Sequence, residues 1–257
     1  MKTLAVIPAR LGATRLPRKP LRLLAGRPLV IRVWERVMTL GVADRVVIAT
    51  DADEVAIAVR AAGAEVVLTS PHHPSGTDRV AEVAARPELA AYEALVNVQG
   101  DEPFIDEDAV RGALAVVTSG RFPLGTAAAR APLDILQSPH VVKVVTADDG
   151  RALYFSRAPI PFLREREDEA LLGPHVRQHL GIYAYERSAL ERWVALPPHP
   201  LERIERLEQL RPLAAGLAMG VAAAARAPRP GIDTEEDLAR ANAAWADRTD
   251  TLTAGHL

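Results

Sequence analysis

The chain has 257 residues, 49% of them hydrophobic, and a formal net charge of −2. That length allows one large or two small α/β domains, and with only four Phe, four Tyr and three Trp the core must be mostly Ala, Val and Leu. The near-neutral balance argues against a nucleic-acid binder, and the lack of cysteine excludes thiol catalysis, disulfides and zinc–thiolate sites and fits a reducing compartment. No run approaches the ~20 apolar residues of a membrane span, and no signal-peptide pattern precedes the first strand. A soluble cytoplasmic protein is expected.

Leu4–Ile7 reads as a buried strand that breaks at Pro8 into a loop. The loop carries Arg10, Arg15, Arg18 and Lys19. In an α/β sheet, ligands bind beyond the carboxyl ends of the strands, so these cations suit a polyphosphate. The alternative is a solvated basic loop. Proline at 8, 17 and 20 stiffens it and favours the anion site.

Leu29–Leu40 is a helix with a Leu29, Val33, Val37, Leu40 stripe, ended by Gly41. Arg45–Thr50 is a strand followed by Asp51, residues 52–62 a helix closed by Gly63, and Glu65–Leu68 a third strand. This alternation marks parallel βαβ units. The segment His72-His73-Pro74-Ser75-Gly76-Thr77-Asp78-Arg79 opens a helix at about Asp78. Ser75, Gly76 and Arg79 either hold a nucleoside edge or form a plain N-cap. The adjacent histidines read as ordinary loop residues. Leu95–Val98 is a fourth strand ending in Gln99-Gly100-Asp101-Glu102-Pro103. Gly100 permits a tight turn. Asp101 either holds Mg²⁺ with substrate phosphates or starts the turn into the Asp106–Ser119 helix.

From about residue 123 the pattern becomes an antiparallel extension. Leu124–Arg130, Val141–Thr146 and Ala152–Phe155 are strand-like, with Asp149-Gly150 as a hairpin turn. Arg157 lies beside Pro159 and Pro161, and Arg164–Glu169 reads as a solvated charged loop. His179, Gly181, Tyr183 and Tyr185 share one strand face. That face either lines a polar pocket or belongs to a half-buried strand. Pro200–Arg211 is expected to be one helix with an apolar Leu201, Ile204, Leu207, Leu210 face and Glu205 near Glu208. Asp233 or Thr234 is a good N-cap for the last helix, and residues 248–257 should fray.

Ile7-Pro8-Ala9-Arg10, Thr14-Arg15-Leu16-Pro17 and Lys19-Pro20-Leu21 closely resemble the opening signature of the cytidylyltransferases that activate acidic sugars. Within that group the chain is most similar to the 3-deoxy-manno-octulosonate (Kdo) cytidylyltransferases. Further stretches resemble the same family in the same order: Ala49–Asp51, Ser75–Arg79, Asn97–Pro103, Val142–Val145, Ala152–Arg157, His179–Tyr183, Leu201–Arg211 and Gly231–Thr234.

The resemblance implies an α/β fold of the nucleotide-diphospho-sugar transferase type, a three-layer, mostly parallel sheet with an antiparallel extension. It implies a nucleotide-binding half at 1–122 and a sugar-binding and dimerisation part at 123–247. The implied reaction transfers CMP from CTP to the anomeric hydroxyl of Kdo, releasing pyrophosphate, for lipopolysaccharide or capsule synthesis. Ala9, Arg10, Arg15, Lys19, Thr50, Asp51, Ser75, Gly76, Arg79 and Gln99 would bind the nucleotide. Gln99, Arg157, His179, Tyr183, Glu208 and Gln209 would meet the sugar acid. Asp101 and Asp233 would hold Mg²⁺, and with Lys19 they form the expected catalytic group. A homodimer is implied as well. Two departures from the family pattern concern the first loop: Ala13 replaces a common serine and Arg18 a common glycine. Arg18 would be strained if its turn needs positive φ, and it could supply charge in place of the lost hydroxyl. The rival readings are a CMP-sialate synthetase and a non-catalytic nucleotide-binding protein. Walker, dinucleotide, His-Glu-x-x-His and Gly-x-Ser-x-Gly motifs are absent from the sequence.

Overall fold

A computed structural model describes residues 1–12, 15–227 and 229–253. Ala13, one of the two departures, lies outside the described residues. The chain forms two compact units that interleave in sequence. One comprises residues 5–83, 98–105 and 229–257; the other comprises 1–4, 84–97 and 106–228. They do not follow a division at residue 122, because the chain leaves the first unit at 84, returns to it briefly at 98–105 and returns again at 229.

The first unit carries the strands Thr3–Ala9 (from Ala5 onward), Arg45–Thr50 and Val66–Leu68 in adjacent positions. The last two are parallel, with Ile48 opposite Val66 and Thr50 opposite Leu68. The opening strand continues through Pro8 instead of breaking there. The fixed φ of proline is compatible with extended backbone where no ladder donor is needed. Helices Leu29–Leu40 and Asp53–Ala61 follow their strands as the alternation predicts, and Gly41 ends the first in the left-handed region (φ 57°). Leu16, Leu24, Leu29, Ile232, Leu238 and Ala241 form one apolar cluster, with Phe104 and Trp245 packed on it. This cluster joins the basic loop to the start of the final helix, Glu235–Thr253. The helix is continuous to Thr253, into the stretch expected to fray. Residues 254–257 lie outside the described residues.

The second unit contains the expected antiparallel strands. Arg177–Glu186 pairs antiparallel with both Ala94–Asn97 and Leu124–Arg130. Lys143–Thr146 and Ala152–Ser156 form the hairpin around Gly150 (φ 85°). An Ala-rich strand, Met219–Ala224, lies parallel to Leu124–Arg130 and has no counterpart in the sequence expectations. Alanine carries a weak strand signal; the strand packs closely on the helix Glu107–Thr118, where a Cβ on Gly112 would stand 2.8 Å from the Ala222 Cβ. The single helix expected over 200–211 is instead two, Pro200–Glu205 and Leu210–Ala214. Arg206 adopts a left-handed C-cap (φ 55°), and its N–H bonds Glu202 O. Glu205 and Glu208 therefore do not share a helical face, and Ile204 is 77% exposed. The 164–169 charge run is exposed and includes a short 3₁₀ turn, Arg166–Asp168.

Candidate active site

The site belongs to the first unit and is built where strand ends meet a helix start. Val98 N–H bonds Val6 O at 3.0 Å, so the segment after Asn97 runs beside the opening strand. A Cβ at Gly100 would stand 2.5 Å from the Pro8 carbonyl oxygen, so close backbone approach requires glycine there. Ile232 N–H then bonds Asp101 O at 3.0 Å, which brings Asp233 beside Asp101.

The helix start settles which residue caps. Thr234 Oγ1 accepts the Asp237 N–H at 3.1 Å, while Asp237 Oδ2 accepts the Thr234 N–H at 2.9 Å and the Asp233 N–H at 3.1 Å. This reciprocal arrangement satisfies the exposed donors of the first turn and leaves the Asp233 carboxylate for cations. Lys19 Nζ donates to Asp101 Oδ2 at 2.6 Å and to Asp233 Oδ1 at 2.8 Å. Arg15 Nη2 donates to the other Asp233 oxygen at 2.9 Å. Burial pulls the Lys19 ammonium down, but Asp101 and Asp233 outweigh it and hold Lys19 above its ordinary value.

Glu102 is a neighbour that the sequence reading passed over. Desolvation pushes it up to about 8, and the charges of Asp101 and Asp233 add to the shift. With no metal ion between Asp101 and Asp233, that shift leaves it mostly protonated at neutral pH. Its place directly after Asp101 was visible in the sequence, but its protonation follows from burial, which was not. Asp237 was also missed, although Thr234 and Asp237 have the three-residue spacing of a capping pair.

A cavity of about 320 Å³ is lined by the predicted residues Ala9, Arg10, Arg15, Lys19, Ser75, Gly76, Arg79, Gln99, Asp101 and Asp233. Thr50 and Asp51 do not line it. Asp51 accepts from Arg79 Nη2 at 2.9 Å and from the Leu11 N–H at 3.2 Å, so it fixes the guanidinium and the basic loop. Thr50 is fully buried, and its carbonyl holds Thr69, the other partner of Arg79. Ser75 caps the helix Gly76–Ala84 through Asp78 and also lines the cavity. His73, expected to be an ordinary loop residue, pairs with Glu82 and also lines the cavity. Arg18 is left-handed (φ 57°), the strained state foreseen for it, which costs a non-glycine residue about 1 kcal/mol. It pairs with Glu54 and does not line the cavity, so it is not the substitute phosphate charge.

The residues expected to meet the sugar acid, apart from Gln99, lie in the second unit. Glu205 carboxylate oxygens accept from Ser156 Oγ at 2.6 Å and from the Arg157 N–H at 2.9 Å. The Arg157 guanidinium donates to Glu205 O at 2.8 Å and Pro139 O at 2.9 Å, and is thereby aimed. His179 is 8% exposed, and its Nε2 lies 2.9 Å from Thr126 Oγ1. Because that hydroxyl donates to Ile182 O, Nε2 carries the hydrogen. Burial lowers His179 to about 3, so it is neutral. Its ring sits 4.9 Å from Phe155 and 5.4 Å from Tyr183, and Tyr183 packs on Trp193. His179, Tyr183 and Tyr185 on that strand face are buried, whereas Gly181 is partly exposed. Gln209 is buried and Glu208 half-buried.

Among the described residues no group of three His, Cys, Asp or Glu side chains forms a complete metal cage. Two carboxylates converging on one cation are the donor set that suits Mg²⁺ when substrate phosphates and waters complete the shell.

The sequence matches the family described as cytidylyltransferase over residues 4–219. A 3-deoxy-manno-octulosonate cytidylyltransferase of Gemmatimonas aurantiaca is 64% identical over 95% of each chain. One from Pectobacterium carotovorum subsp. carotovorum is 44% identical over 95% of this chain and 98% of the relative. The solved structure of CMP:2-keto-3-deoxy-manno-octonic acid synthetase complexed with CTP superposes with a TM-score of 0.89 at 36% identity, covering 96% of this chain and all of that one. A 4-diphosphocytidyl-2C-methyl-D-erythritol synthase from Anaerococcus prevotii shares the fold at a TM-score of 0.62 and 14% identity. The expected fold class, a mostly parallel α/β sheet with antiparallel strands, is the one found.

Proposed function

The chain belongs to the cytidylyltransferase family, among the 3-deoxy-manno-octulosonate cytidylyltransferases, and from that premise we propose that it transfers CMP from CTP to the anomeric hydroxyl of Kdo with release of pyrophosphate. The observation that carries this reading is the convergence of Asp101 and Asp233, 132 positions apart in sequence, on one ammonium group.

Arg10, Arg15 and Lys19 grip the triphosphate, and Ser75, Gly76 and Arg79 border the cytidine. Asp51 and Thr50 support them by holding Arg79. Asp101 and Asp233 would hold Mg²⁺, which when bound would supply Lewis-acid stabilisation of charge on phosphorus oxygens and lower the pKa of the attacking hydroxyl. The carboxylate of the sugar acid and the triphosphate repel one another. The cations of the first loop offset the nucleotide's charge, and Arg157 offsets the sugar's. His179, Tyr183, Glu208, Gln209 and Gln99 supply the polar groups for the sugar hydroxyls. No side chain near Asp101 is assigned as a general base; catalysis rests on in-line positioning and charge stabilisation.

The protein acts as a cytoplasmic homodimer in lipopolysaccharide or capsule synthesis. No helix among the described residues is long and apolar enough to cross a membrane.

The test is pyrophosphate release from CTP with Kdo, with and without Mg²⁺, and with N-acetylneuraminate in place of Kdo. Release that needs both Kdo and Mg²⁺ is expected. Release with the sialic acid alone, or none with either sugar, overturns the reading.

A further inference from the structure

The basic loop reaches into the proposed metal site itself. Lys19 Nζ touches Asp101 Oδ2 at 2.6 Å and Asp233 Oδ1 at 2.8 Å, so it stands between the two carboxylates. Arg15 takes the remaining oxygen of Asp233 at 2.9 Å. The backbone beneath both acids is anchored: the Asp101 carbonyl accepts the Ile232 N–H, and the Asp233 N–H donates to Asp237 Oδ2. Leu16 and Pro20 are buried and anchor the loop backbone. What can move is the four-carbon stem of Lys19, whose side chain keeps 17% exposure.

Fixed acids and a swinging ammonium make an exchange device. We propose that Lys19 is a built-in stand-in for the divalent ion: without nucleotide it occupies the position between Asp101 and Asp233, and it gives up that position when a triphosphate offers it a new partner. The inference rests on the metal assignment made above and adds an order to binding. An ammonium and a divalent cation repel at such short range and cannot share the two carboxylates. The metal is therefore excluded from the nucleotide-free protein and enters with the nucleotide. The same exchange keeps the paired acids neutralised before substrate arrives and carries Lys19 from carboxylate to phosphate as the complex forms.

The experiment measures Mn²⁺ binding by electron paramagnetic resonance of the free ion, without nucleotide, on wild-type protein and on Lys19→Met. The variant should bind Mn²⁺ at least about tenfold more tightly, because a like charge has been removed from the ion's own position. Adding CTP should tighten binding strongly in wild type and much less in the variant. Equal or weaker nucleotide-free binding by Lys19→Met overturns the proposal. Lys19→Gln is read by the same criterion should the methionine variant not fold. The double variant Lys19→Met/Asp101→Asn separates this idea from the one beneath it. Loss of the gain supports exchange at these carboxylates, whereas a gain that persists overturns both the exchange and the assignment of the metal to Asp101. If Lys19→Met shows no gain while wild type still needs Mg²⁺ for pyrophosphate release, the exchange fails and the proposed activity stands.

Discussion

The charged cluster around Lys19 and the aromatic cluster around His179 solve opposite problems. Around Lys19, each formal charge has an opposite partner within hydrogen-bond distance and some access to water. Around His179, burial among Phe155, Tyr183 and Trp193 removes the charge, and one hydrogen bond to Thr126 fixes the tautomer. On the proposed assignments, the first region would recognise by charge and the second by shape and neutral polar groups. Substitutions in the first should therefore affect rate more than folding, and those in the second should affect folding and its pH dependence.

Asp101→Asn should break the contrast most. Loss of one carboxylate from the proposed metal pair should lower kcat by about 10³-fold or more, while the thermal midpoint stays within a few degrees because Asp233 still pairs Lys19. Steady-state kinetics and calorimetry check both parts. Arg157→Ala comes next. It should raise KM for the sugar acid by about 10- to 100-fold, as loss of a charge-assisted contact does, and leave KM for CTP nearly unchanged. Equal effects on the two substrates would remove Arg157 from its role.

The His179 prediction concerns stability. Its folded-state value near 3 lies below its unfolded value of 6.5, so the unfolded chain takes up the proton first. Its contribution is complete above pH 6.5 and declines as pH falls toward 3, by up to about 1.4 kcal/mol per pH unit. His179→Gln should be less stable at neutral pH yet show a shallower loss between those limits in denaturant titrations. A slope equal to that of wild type would mean that His179 is not held neutral. The smallest effect belongs to Glu102→Gln. Desolvation already keeps that carboxyl protonated at neutral pH, so activity should change by less than about threefold. A loss as large as that of Asp101→Asn would show that Glu102 works as an anion.

The two regions also differ in how far the sequence disclosed them. The basic loop and Asp101 after its strand were legible because each sits at a boundary between apolar periodicity and polar residues, whereas Asp233 read as a helix cap and its metal role came only from the family resemblance. That Thr234 and Asp237 do the capping, freeing Asp233, needed atomic geometry, since Asp233 and Thr234 are equally good caps by composition. The aromatic region was less legible. Period-two alternation placed His179 and Tyr183 on one face but could not tell a pocket from a core, because that depends on Trp193 and Phe155 arriving from other segments. The strand Met219–Ala224 was invisible because alanine carries little strand signal. The split at Arg206 was hidden because a continuous apolar spacing through Ile204 suggested one helix, while Ile204 in fact faces solvent.

The most direct measurement is anomalous diffraction from crystals of the protein grown with CTP and Mn²⁺. A single peak should lie within about 2.2 Å of carboxylate oxygens from both Asp101 and Asp233, with the Lys19 ammonium displaced onto phosphate. A peak contacting only one of the two acids, or Lys19 still bridging them beside bound nucleotide, would contradict the account.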